Sequence, residues 1–368
     1  MRVALDARRL QDRPYTGVGR IIAHLLPHLA REVEIVLLTD GRRESPAGGE
    51  SSGIDFSQFE EVRLSVPGRL PEPFWLQGPV ARWLRGFNGI FHGTYNAVPL
   101  AYRGTSVVSI YDLTWQHHPE DFGSATRLSF MTQARWSAHH SGAIITCSEY
   151  SRQDIVDTYQ VAAERVFNVP PAVDPAFSPD RVAGAPAVLS RVGLRGPYVV
   201  AMGGAKRRGL EVAVEAWRRL PPGTDRPSLV VLGAEVPPAE PGLVHAGRLS
   251  DDDWSAVLAG ALAFCYPTRF EGYGMPALEA AASGVPVVCA RIGPLPEVLG
   301  EAAEWCASPG ADDIAVGLAR VVADPARREQ LRVAGLARAA AAPTWEQSAK
   351  VALEAYAMAA GSAWGGGR

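Results

Sequence analysis

The stretch YPTRFEGYGMPALEAAASGVPVVC, from Tyr266 to Cys289, predicts a strand, a glycine-bearing loop, a helix, a turn and a second strand, in that order. This order is typical of a parallel sheet whose strands are joined by helices. The loop Gly272-Tyr273-Gly274 allows backbone N–H groups to approach a ligand closely, and Pro276 is tolerated in the first helical turn. Because a helix N-terminus favours negative charge, the stretch predicts an anion-binding loop.

Two carboxylates in this stretch, Glu271 and Glu279, are separated by seven residues. Glu271 falls in the loop, and Glu279 falls about one turn inside the helix. Ionised carboxylates only accept hydrogen bonds, so the pair suits the hydroxyl groups of a sugar and a ribose. The alternative is an unrelated loop charge and helix-face charge. The coincidence with a glycine loop and a helix start favours the ligand interpretation.

The alternation of short strands and longer helices continues on both sides of this stretch. Residues 1–180 form one predicted α/β unit, and a Pro- and Ala-rich segment after Asn168 marks the boundary near residue 180. Residues 181–342 form a second such unit, and residues 343–362 form a helix expected to pack back on the first. The predicted fold class is α/β, with two Rossmann-like, doubly wound domains facing a central cleft that holds the active site.

Composition narrows the class of protein. The chain has 368 residues, 47% of them hydrophobic, and a net charge of -3, which argues against a nucleic-acid-binding protein. Its four cysteines lack C-x-x-C spacing, as in a reduced, cytoplasmic protein. The sequence shows neither a signal peptide nor an apolar run of membrane-spanning length, so we expect at most attachment to a membrane surface.

A basic cluster, Lys206, Arg207 and Arg208, follows the first predicted strand of the second unit. Cations at a helix start suit a diphosphate group, although a solvated basic turn is the alternative. The acidic run Asp251 to Asp253 follows Ser250 and precedes an apolar helical pattern, so it is interpreted as a helix start rather than a metal site. We therefore expect no metal and no cofactor.

The N-terminal loop contains Gly17 and Gly19 at the start of a helix, where its backbone can approach a phosphate. With Asp40 ending the next strand, this region faintly imitates an NAD-binding fingerprint. Ile22 occupies the third glycine position, and about ten residues separate the strand from the loop. An NAD-dependent oxidoreductase is therefore the weaker alternative.

Three further candidates lie in the first unit. Asp112 ends an apolar strand, where it can orient a hydroxyl group or cap the following turn. His92 follows another strand and either lines the ligand site or is a hydrogen-bonded structural histidine. The segment Pro73 to Phe87, with four aromatic residues beside Arg82 and Arg85, either rests on a membrane surface or packs against the sheet.

Taken together, these motifs resemble the retaining glycosyltransferases of family 4, which have the GT-B fold, and the resemblance covers nearly the whole chain. Besides the Glu271 to Glu279 signature, it rests on five shorter blocks: TGVGR from Thr16, FHGTYNAVP from Phe91, VVSIYDLTWQHHPE from Val107, SEYSRQDI from Ser148 and NVPPAVD from Asn168. The long signature is highly specific, and the shorter blocks are moderately so.

The resemblance implies roles for the candidate residues. Glu279 would bind the ribose, Glu271 the donor sugar, and the amides of Gly272, Tyr273, Gly274 and Met275 the sugar hydroxyls. Glu271, Arg208 and Asp112 would be catalytic, with Arg207, Arg208 and the helix amides stabilising the leaving phosphate. The candidate contacts of the acceptor would be His92, Tyr111 and Asp112. The chain departs from the family at Gly204, where an arginine is usual, at Arg208, where a lysine is usual, and at Tyr111, where histidine commonly precedes the aspartate.

The expected activity is transfer of a hexose, with retention, from a nucleotide sugar to a hydroxyl of a glycan, a lipid-linked acceptor or a small molecule. GDP-mannose is favoured as donor, because the blocks at Phe91 and Val107 resemble mannosyltransferases, and UDP-glucose and dTDP-rhamnose stay open. The expected location is the cytoplasm or the inner face of the membrane. A non-catalytic protein that binds sugar nucleotides is the other alternative.

Overall fold

The structure is a computed structural model, and it describes residues 1–12, 15–46, 54–66, 72–221, 226–233, 235–237 and 239–361, without the side chains of residues 72 and 73. The chain divides into two compact units. The first comprises Met1–Ala172 and Pro343–Arg368, and the second comprises Val173–Ala342.

In the described part of the first unit, seven parallel strands form one sheet in the order β3-β2-β1-β4-β5-β6-β7. The strands are β1 (Arg2–Asp6), β2 (Glu34–Asp40), β3 (Glu60–Leu64), β4 (Ile90–Gly93), β5 (Ser106–Ser109), β6 (Ala143–Thr146) and β7 (Val166–Asn168). The strand order reverses between β1 and β4. Ligands of open parallel sheets bind beyond the carboxyl ends of the strands at such a reversal.

Helices cover this sheet. They are α1 (Gly17–Leu29), α2 (Glu72–Trp75), α3 (Ala81–Trp83), α4 (Thr114–His117), α5 (Ser124–His140) and α6 (Glu149–Tyr159). Helix α1 begins at a Thr16 cap, whose hydroxyl accepts from the Gly19 amide, and it buries Ile22, Leu25 and Leu29. Gly17 and Gly19 therefore lie in the first turn of this helix.

The C-terminal helix α14 (Trp345–Ala359) belongs to the first unit. A capping box of Thr344 and Gln347 begins it, and the Ser348 hydroxyl donates to the Pro170 carbonyl oxygen. The Tyr356 ring is fully buried against the sheet, and its hydroxyl lies 2.9 Å from Nδ1 of His92. Residue 362, the predicted end of this segment, lies outside the described residues.

The second unit repeats the design with six parallel strands in its described part, in the order β10-β9-β8-β11-β12-β13. The strands are β8 (Tyr198–Met202), β9 (Ser228–Leu232), β10 (Leu243–Gly247), β11 (Phe264–Cys265), β12 (Val287–Ala290) and β13 (Ala303–Cys306). The helices are α7 (Ala185–Arg191), α8 (Leu210–Arg218), α9 (Asp251–Ala259), α10 (Met275–Ala282), α11 (Leu295–Leu299), α12 (Ala311–Ala323) and α13 (Pro325–Ala340). The strand order reverses between β8 and β11.

The first unit ends at Ala172, earlier than the predicted boundary near residue 180. The segment that follows packs within the second unit, because the buried Phe177 ring contacts Trp254 edge-on at 6.5 Å between centroids. Arg181 also forms an ion pair with Asp252 of α9. The Pro- and Ala-rich composition concealed these contacts.

The segment from residue 73 to Phe87 packs on the first sheet through Trp75, which is fully buried and donates Nε1–H to the Leu64 carbonyl oxygen at 2.7 Å. Trp83 and Phe87 stack on each other at 4.9 Å and are half-buried, whereas Phe74 is 53% exposed. The side chain of Pro73 lies outside the described residues. Across the described ranges, no helix is both long and apolar enough to cross a membrane.

Candidate active site

The long signature and the basic cluster meet at the strand-order reversal of the second sheet. The basic segment Gly203–Gly209 follows β8, and the segment Tyr266–Gly274 follows β11. The Arg269 amide donates to the Arg207 carbonyl oxygen at 2.8 Å, and the Thr268 hydroxyl lies 3.3 Å from the same oxygen. The two segments, about sixty positions apart in the sequence, are therefore hydrogen-bonded to each other beyond the carboxyl ends of β8 and β11, where a doubly wound sheet binds its ligand. We call this pair of segments the joined edge.

Glycines shape both segments. Gly274 precedes α10 with a φ of 96°, and a Cβ there would lie 2.5 Å from Cδ2 of Leu295. Gly209 has a φ of 70°, and a Cβ would lie 2.6 Å from the Pro267 carbonyl oxygen. Both positions therefore require glycine for conformation and for space. Gly272 and Tyr273 are buried in the loop before α10, and Met275 is the first residue of that helix.

Glu271 lies in the loop and is 9% exposed. The buried Tyr266 hydroxyl donates to its Oε1 at 2.5 Å, and Oγ1 of Thr268 lies 3.5 Å from the same oxygen. Burial and the neighbouring Glu271 carboxylate raise the pKa of Tyr266 well above its usual value, so the tyrosine is a hydrogen-bond donor at neutral pH. Within the described residues, Glu271 forms no ion pair.

Glu279 lies in the second turn of α10 and is 3% exposed. Its Oε2 accepts from Nε1 of Trp254, a residue of α9, at 3.3 Å. A buried carboxylate is costly unless polar groups surround it, and such sites are frequently functional. Trp254 was not predicted as a site residue, because its contact with Glu279 depends on the packing of two helices.

The cations lie in a single helical turn, Lys206–Arg208, between β8 and α8. Lys206 is exposed, whereas Arg207 and Arg208 are half-buried beside Tyr266. Nη1 of Arg208 lies 3.4 Å from the Gly203 carbonyl oxygen, and within the described part of the chain the buried Nε atoms of both arginines have no hydrogen-bond partner. Neither arginine pairs with a carboxylate among the described residues. Two such guanidinium groups are suited to a diphosphate.

The glycines of the first unit stand at the start of α1. A Cβ at Gly19 would lie 2.5 Å from the Arg9 carbonyl oxygen, so Gly19 is needed for a close backbone approach. Among the described residues, Gly17 has no such neighbour within 4 Å. The Asp40 carboxylate, which a dinucleotide reading would assign to a ribose, is bound by the Arg42 side chain at 2.7 Å. This contact weakens the oxidoreductase alternative.

Of the three acceptor-side candidates in the first unit, Asp112 and His92 have local structural roles. The Asp112 carboxylate accepts from the amide and the hydroxyl of Thr114, so it caps the turn into α4. His92 is buried, with Nδ1 at 2.9 Å from Tyr356 Oη and Nε2 at 2.8 Å from Ser109 Oγ. Burial lowers the pKa of His92 to about 3 and raises the pKa of the Tyr111 hydroxyl. The structural alternative for His92 therefore fits these contacts better than an acceptor role.

The acidic run at α9 is a helix start, as predicted. The Ser250 hydroxyl accepts from the Asp253 amide, and Asp252 and Asp253 form ion pairs with Arg181 and Arg191. In the described ranges, no group of three or more His, Cys, Asp and Glu side chains is arranged to hold a metal ion.

An ion pair that the sequence did not indicate lies at the end of β1. Arg8 and Asp6 are both buried and bonded twice, at 2.9 and 2.6 Å, and the Arg8 guanidinium lies 4.3 Å from the Trp75 ring centroid. The only signal was an aspartate and an arginine two residues apart after an apolar strand. Such a pair also occurs on many solvated surfaces.

Two family models match the chain. "Glycosyl transferases group 1" matches residues 196–338, and "Glycosyltransferase Family 4" matches residues 15–177. The family 4 match covers most of the first unit and extends five residues beyond Ala172, the group 1 match lies within the second unit, and together they span most of the chain.

Similar proteins agree with these matches. The O-antigen chain mannosyltransferase B of Escherichia coli is 26% identical, over 86% of this chain and 89% of its own. The MMP alpha-(1->4)-mannosyltransferase of Mycolicibacterium hassiacum is 28% identical, over 74% of this chain and 72% of its own. The crystal structure of Anabaena HepE in complex with UDP and glucose superposes with a TM-score of 0.72, at 13% identity, over 96% of this chain and 98% of that one.

Proposed function

Because the chain belongs to the family 4 glycosyltransferases and has the GT-B fold, we propose that it transfers a hexose from a nucleotide sugar to a hydroxyl group with retention at the anomeric carbon. The observation that carries the proposal is the joined edge of the second unit. There Arg207 and Arg208 follow one strand, Glu271 follows the next, and the Arg269 amide bonds the Arg207 carbonyl oxygen.

Each residue then has a proposed role in the donor site. Arg207 and Arg208 hold the diphosphate and stabilise its charge as it leaves, with Lys206 adding positive charge at the exposed side. Glu279 accepts from the ribose hydroxyls and Glu271 from the donor sugar. The backbone at Gly272, Tyr273, Gly274 and Met275 contacts the sugar and phosphate.

The proposed step breaks the bond between the anomeric carbon and the leaving phosphate while the acceptor oxygen attacks from the same face. The leaving phosphate oxygen takes the proton of the acceptor hydroxyl, so the step needs no base from the protein. We assign the acceptor to the first unit, where Tyr111 is the candidate contact, and we keep the backbone at Gly17 and Gly19 as a candidate contact of the donor phosphate. Asp112 acts in this proposal by shaping the loop after β5, since its carboxylate caps α4.

GDP-mannose is the proposed donor. Two mannosyltransferases resemble the chain over most of its length, and the sequence blocks at Phe91 and Val107 favour the same sugar. UDP-glucose and dTDP-rhamnose are the alternatives, and the HepE complex shows that a protein of this fold holds UDP and glucose. We propose that neither a metal nor a cofactor takes part. The cytoplasmic location and the membrane contact suggested by the sequence stay predictions.

A thermal-shift panel of GDP, UDP and dTDP tests the donor assignment. A ligand at one hundred times its Kd stabilises a protein by about 2.7 kcal/mol, so GDP should raise Tm most. The control is Glu301→Ala, an exposed glutamate of the second unit, which should keep the response. If none of the three nucleotides raised Tm, the assignment of these residues to a donor site would be wrong.

Release of nucleoside diphosphate from the matching nucleotide sugar separates the enzyme from a non-catalytic binding protein. The enzyme should release it on addition of an acceptor. Binding without release, across a panel of glycan, lipid-linked and small hydroxyl acceptors, would favour the non-catalytic alternative.

A further inference from the structure

We propose that three aromatic rings, Tyr266, Phe264 and Trp254, form a ladder that positions both carboxylates of the donor site. The two outer members each donate a hydrogen bond to one carboxylate, Tyr266 to Glu271 and Trp254 to Glu279. This inference rests on the proposed function, because it explains how Glu271 and Glu279 are held for the roles given above.

The rings are in continuous contact. The Tyr266 and Phe264 rings stack with centroids 5.1 Å apart and planes 23° apart. Phe264 meets Trp254 in an edge-on arrangement at 6.1 Å. Aromatic pairs at such separations stabilise one another beyond the area they bury. Phe264 is fully buried and Tyr266 nearly so, hence both are fixed by the sheet interior.

The ladder fixes the orientation of Glu271 in particular. Both side-chain hydroxyls that reach this carboxylate, those of Tyr266 and Thr268, point at Oε1. In the described residues, no hydrogen bond from a side chain ends on Oε2. A carboxylate held by one oxygen presents the other in a defined direction, which is what a contact to a sugar hydroxyl requires.

At the other end, Trp254 restrains Glu279. Its indole Nε1–H only donates, and the Glu279 carboxylate only accepts, so the pairing has a single sense. Trp254 lies in α9 and Glu279 in α10, and the bond therefore links two helices as well as orienting a ligand contact. Tyr266 and Trp254 are positioning residues, since they act through the carboxylates.

The unit contains two matched controls. Tyr198 of β8 is buried and donates to the Val257 carbonyl oxygen at 2.7 Å, and Trp217 of α8 is buried and donates to the Pro227 carbonyl oxygen at 2.7 Å. Substitution to phenylalanine removes a hydroxyl group from Tyr266 and from its control Tyr198. It removes an indole N–H group from Trp254 and from its control Trp217. General effects on stability therefore cancel in the comparison.

The experiment measures kcat for transfer and Kd for the nucleoside diphosphate in each variant. Tyr266→Phe should lower kcat about tenfold, as expected for a lost hydrogen bond to a charged group, with Kd nearly unchanged. Trp254→Phe should raise Kd about threefold to tenfold. This effect is smaller because the hydrogen bond from Trp254 to Glu279 is longer than the one from Tyr266 to Glu271. Tyr198→Phe and Trp217→Phe should change neither quantity by more than about twofold, as expected for variants with no contact to either carboxylate.

Double substitutions give a readout that a purely structural role would not produce. In a Glu279→Gln background, Trp254→Phe should raise Kd by clearly less than it does in the wild type, because the partner is already changed. Full additivity of the two effects would overturn the ladder. If Trp254→Phe fails to fold, the comparison of Tyr266→Phe with Tyr198→Phe tests the ladder. Equal kcat values in these two variants would overturn it.

Failure of the ladder and failure of the proposed function are distinguishable. If Glu271→Gln and Glu279→Gln are impaired while both ladder variants match their controls, the ladder is wrong and the donor site stands. If the two glutamine variants themselves keep the wild-type kcat and Kd, both proposals fail.

Discussion

Glu271 and Glu279 differ in position, and we expect their substitutions to differ in effect. Glu279 is deep in α10, whereas Glu271 lies in the loop beside the half-buried arginines. Glu279→Ala should weaken nucleoside diphosphate binding roughly tenfold to a hundredfold, which is the usual range for lost charge-assisted hydrogen bonds. Glu271→Ala should chiefly lower turnover. Titration calorimetry for Kd and initial rates for kcat check the split, and wild-type values in both variants would refute the assignment.

Arg208 is the arginine at the position where a lysine is usual in the family. Arg208→Ala should lower the rate at saturating donor by tenfold or more, because a charge-assisted contact to a phosphate contributes roughly 1.5 to 3 kcal/mol. Arg219→Ala is the control, since Arg219 is exposed and its ion pairs among the described residues, with Glu215 and Asp312, lie at the surface. An unchanged rate constant for Arg208→Ala would show that the diphosphate is held elsewhere.

Among single residues, the sequence predicts a candidate donor site in the stretch where several local signals coincide. The spacing of Glu271 and Glu279, the glycine loop and the helix start all lie within one short stretch. The Tyr266 contact was not predicted, because strand periodicity marks Tyr266 only as a core residue. Asp112 shows the converse. Its position at a strand end suggests a role in orienting a hydroxyl group, whereas its carboxylate caps the turn into α4.

Among the helices, α14 places the Tyr356 hydroxyl against His92, and the burial of His92 makes stability sensitive to pH. The pKa of His92 is near 6.5 when the chain is unfolded and is lowered by burial to about 3 in the fold. The unfolded chain therefore takes up a proton that the folded chain excludes as pH falls below about 6.5. Stability is fully present above that pH and decreases down to about pH 3.

Urea unfolding at pH 7 and pH 5 tests this effect. The wild type should lose about 2 kcal/mol more unfolding free energy between these two pH values than His92→Gln, in which no imidazole titrates. Comparing the differences rather than the absolute values removes the cost of the substitution itself. Equal losses in the two proteins would contradict a buried, neutral His92.

Strands with a clear β-branched pattern are predictable from the sequence: the apolar runs Tyr198 to Met202 and Ser228 to Leu232 predict strands, and they coincide with β8 and β9. Strands such as β3 and β10 were missed, since EEVRL and LVHAG lack that pattern and pair at the sheet edge. The bond between His92 and Tyr356 was beyond prediction, because it joins residues 264 positions apart.

At the scale of the whole molecule, the proposal requires that side chains and helix ends, without a metal, neutralise the donor diphosphate. Transfer should continue at the same rate in excess EDTA. Asp251→Asn combined with Asp253→Asn should keep nearly full activity, because these residues begin α9. If EDTA stopped transfer and Mg²⁺ or Mn²⁺ restored it, the donor site would have to be built differently.

Retaining hexosyl transfer from a nucleotide sugar fixes the anomeric configuration of the first product, which can be measured. Proton NMR should follow the reaction of the donor that the thermal-shift panel selects, starting with GDP-α-mannose, in the presence of a hydroxyl acceptor. The proposal predicts an α-linked product that appears together with the free nucleoside diphosphate. A β-linked product would contradict retention, and an intact donor with every acceptor would contradict glycosyl transfer.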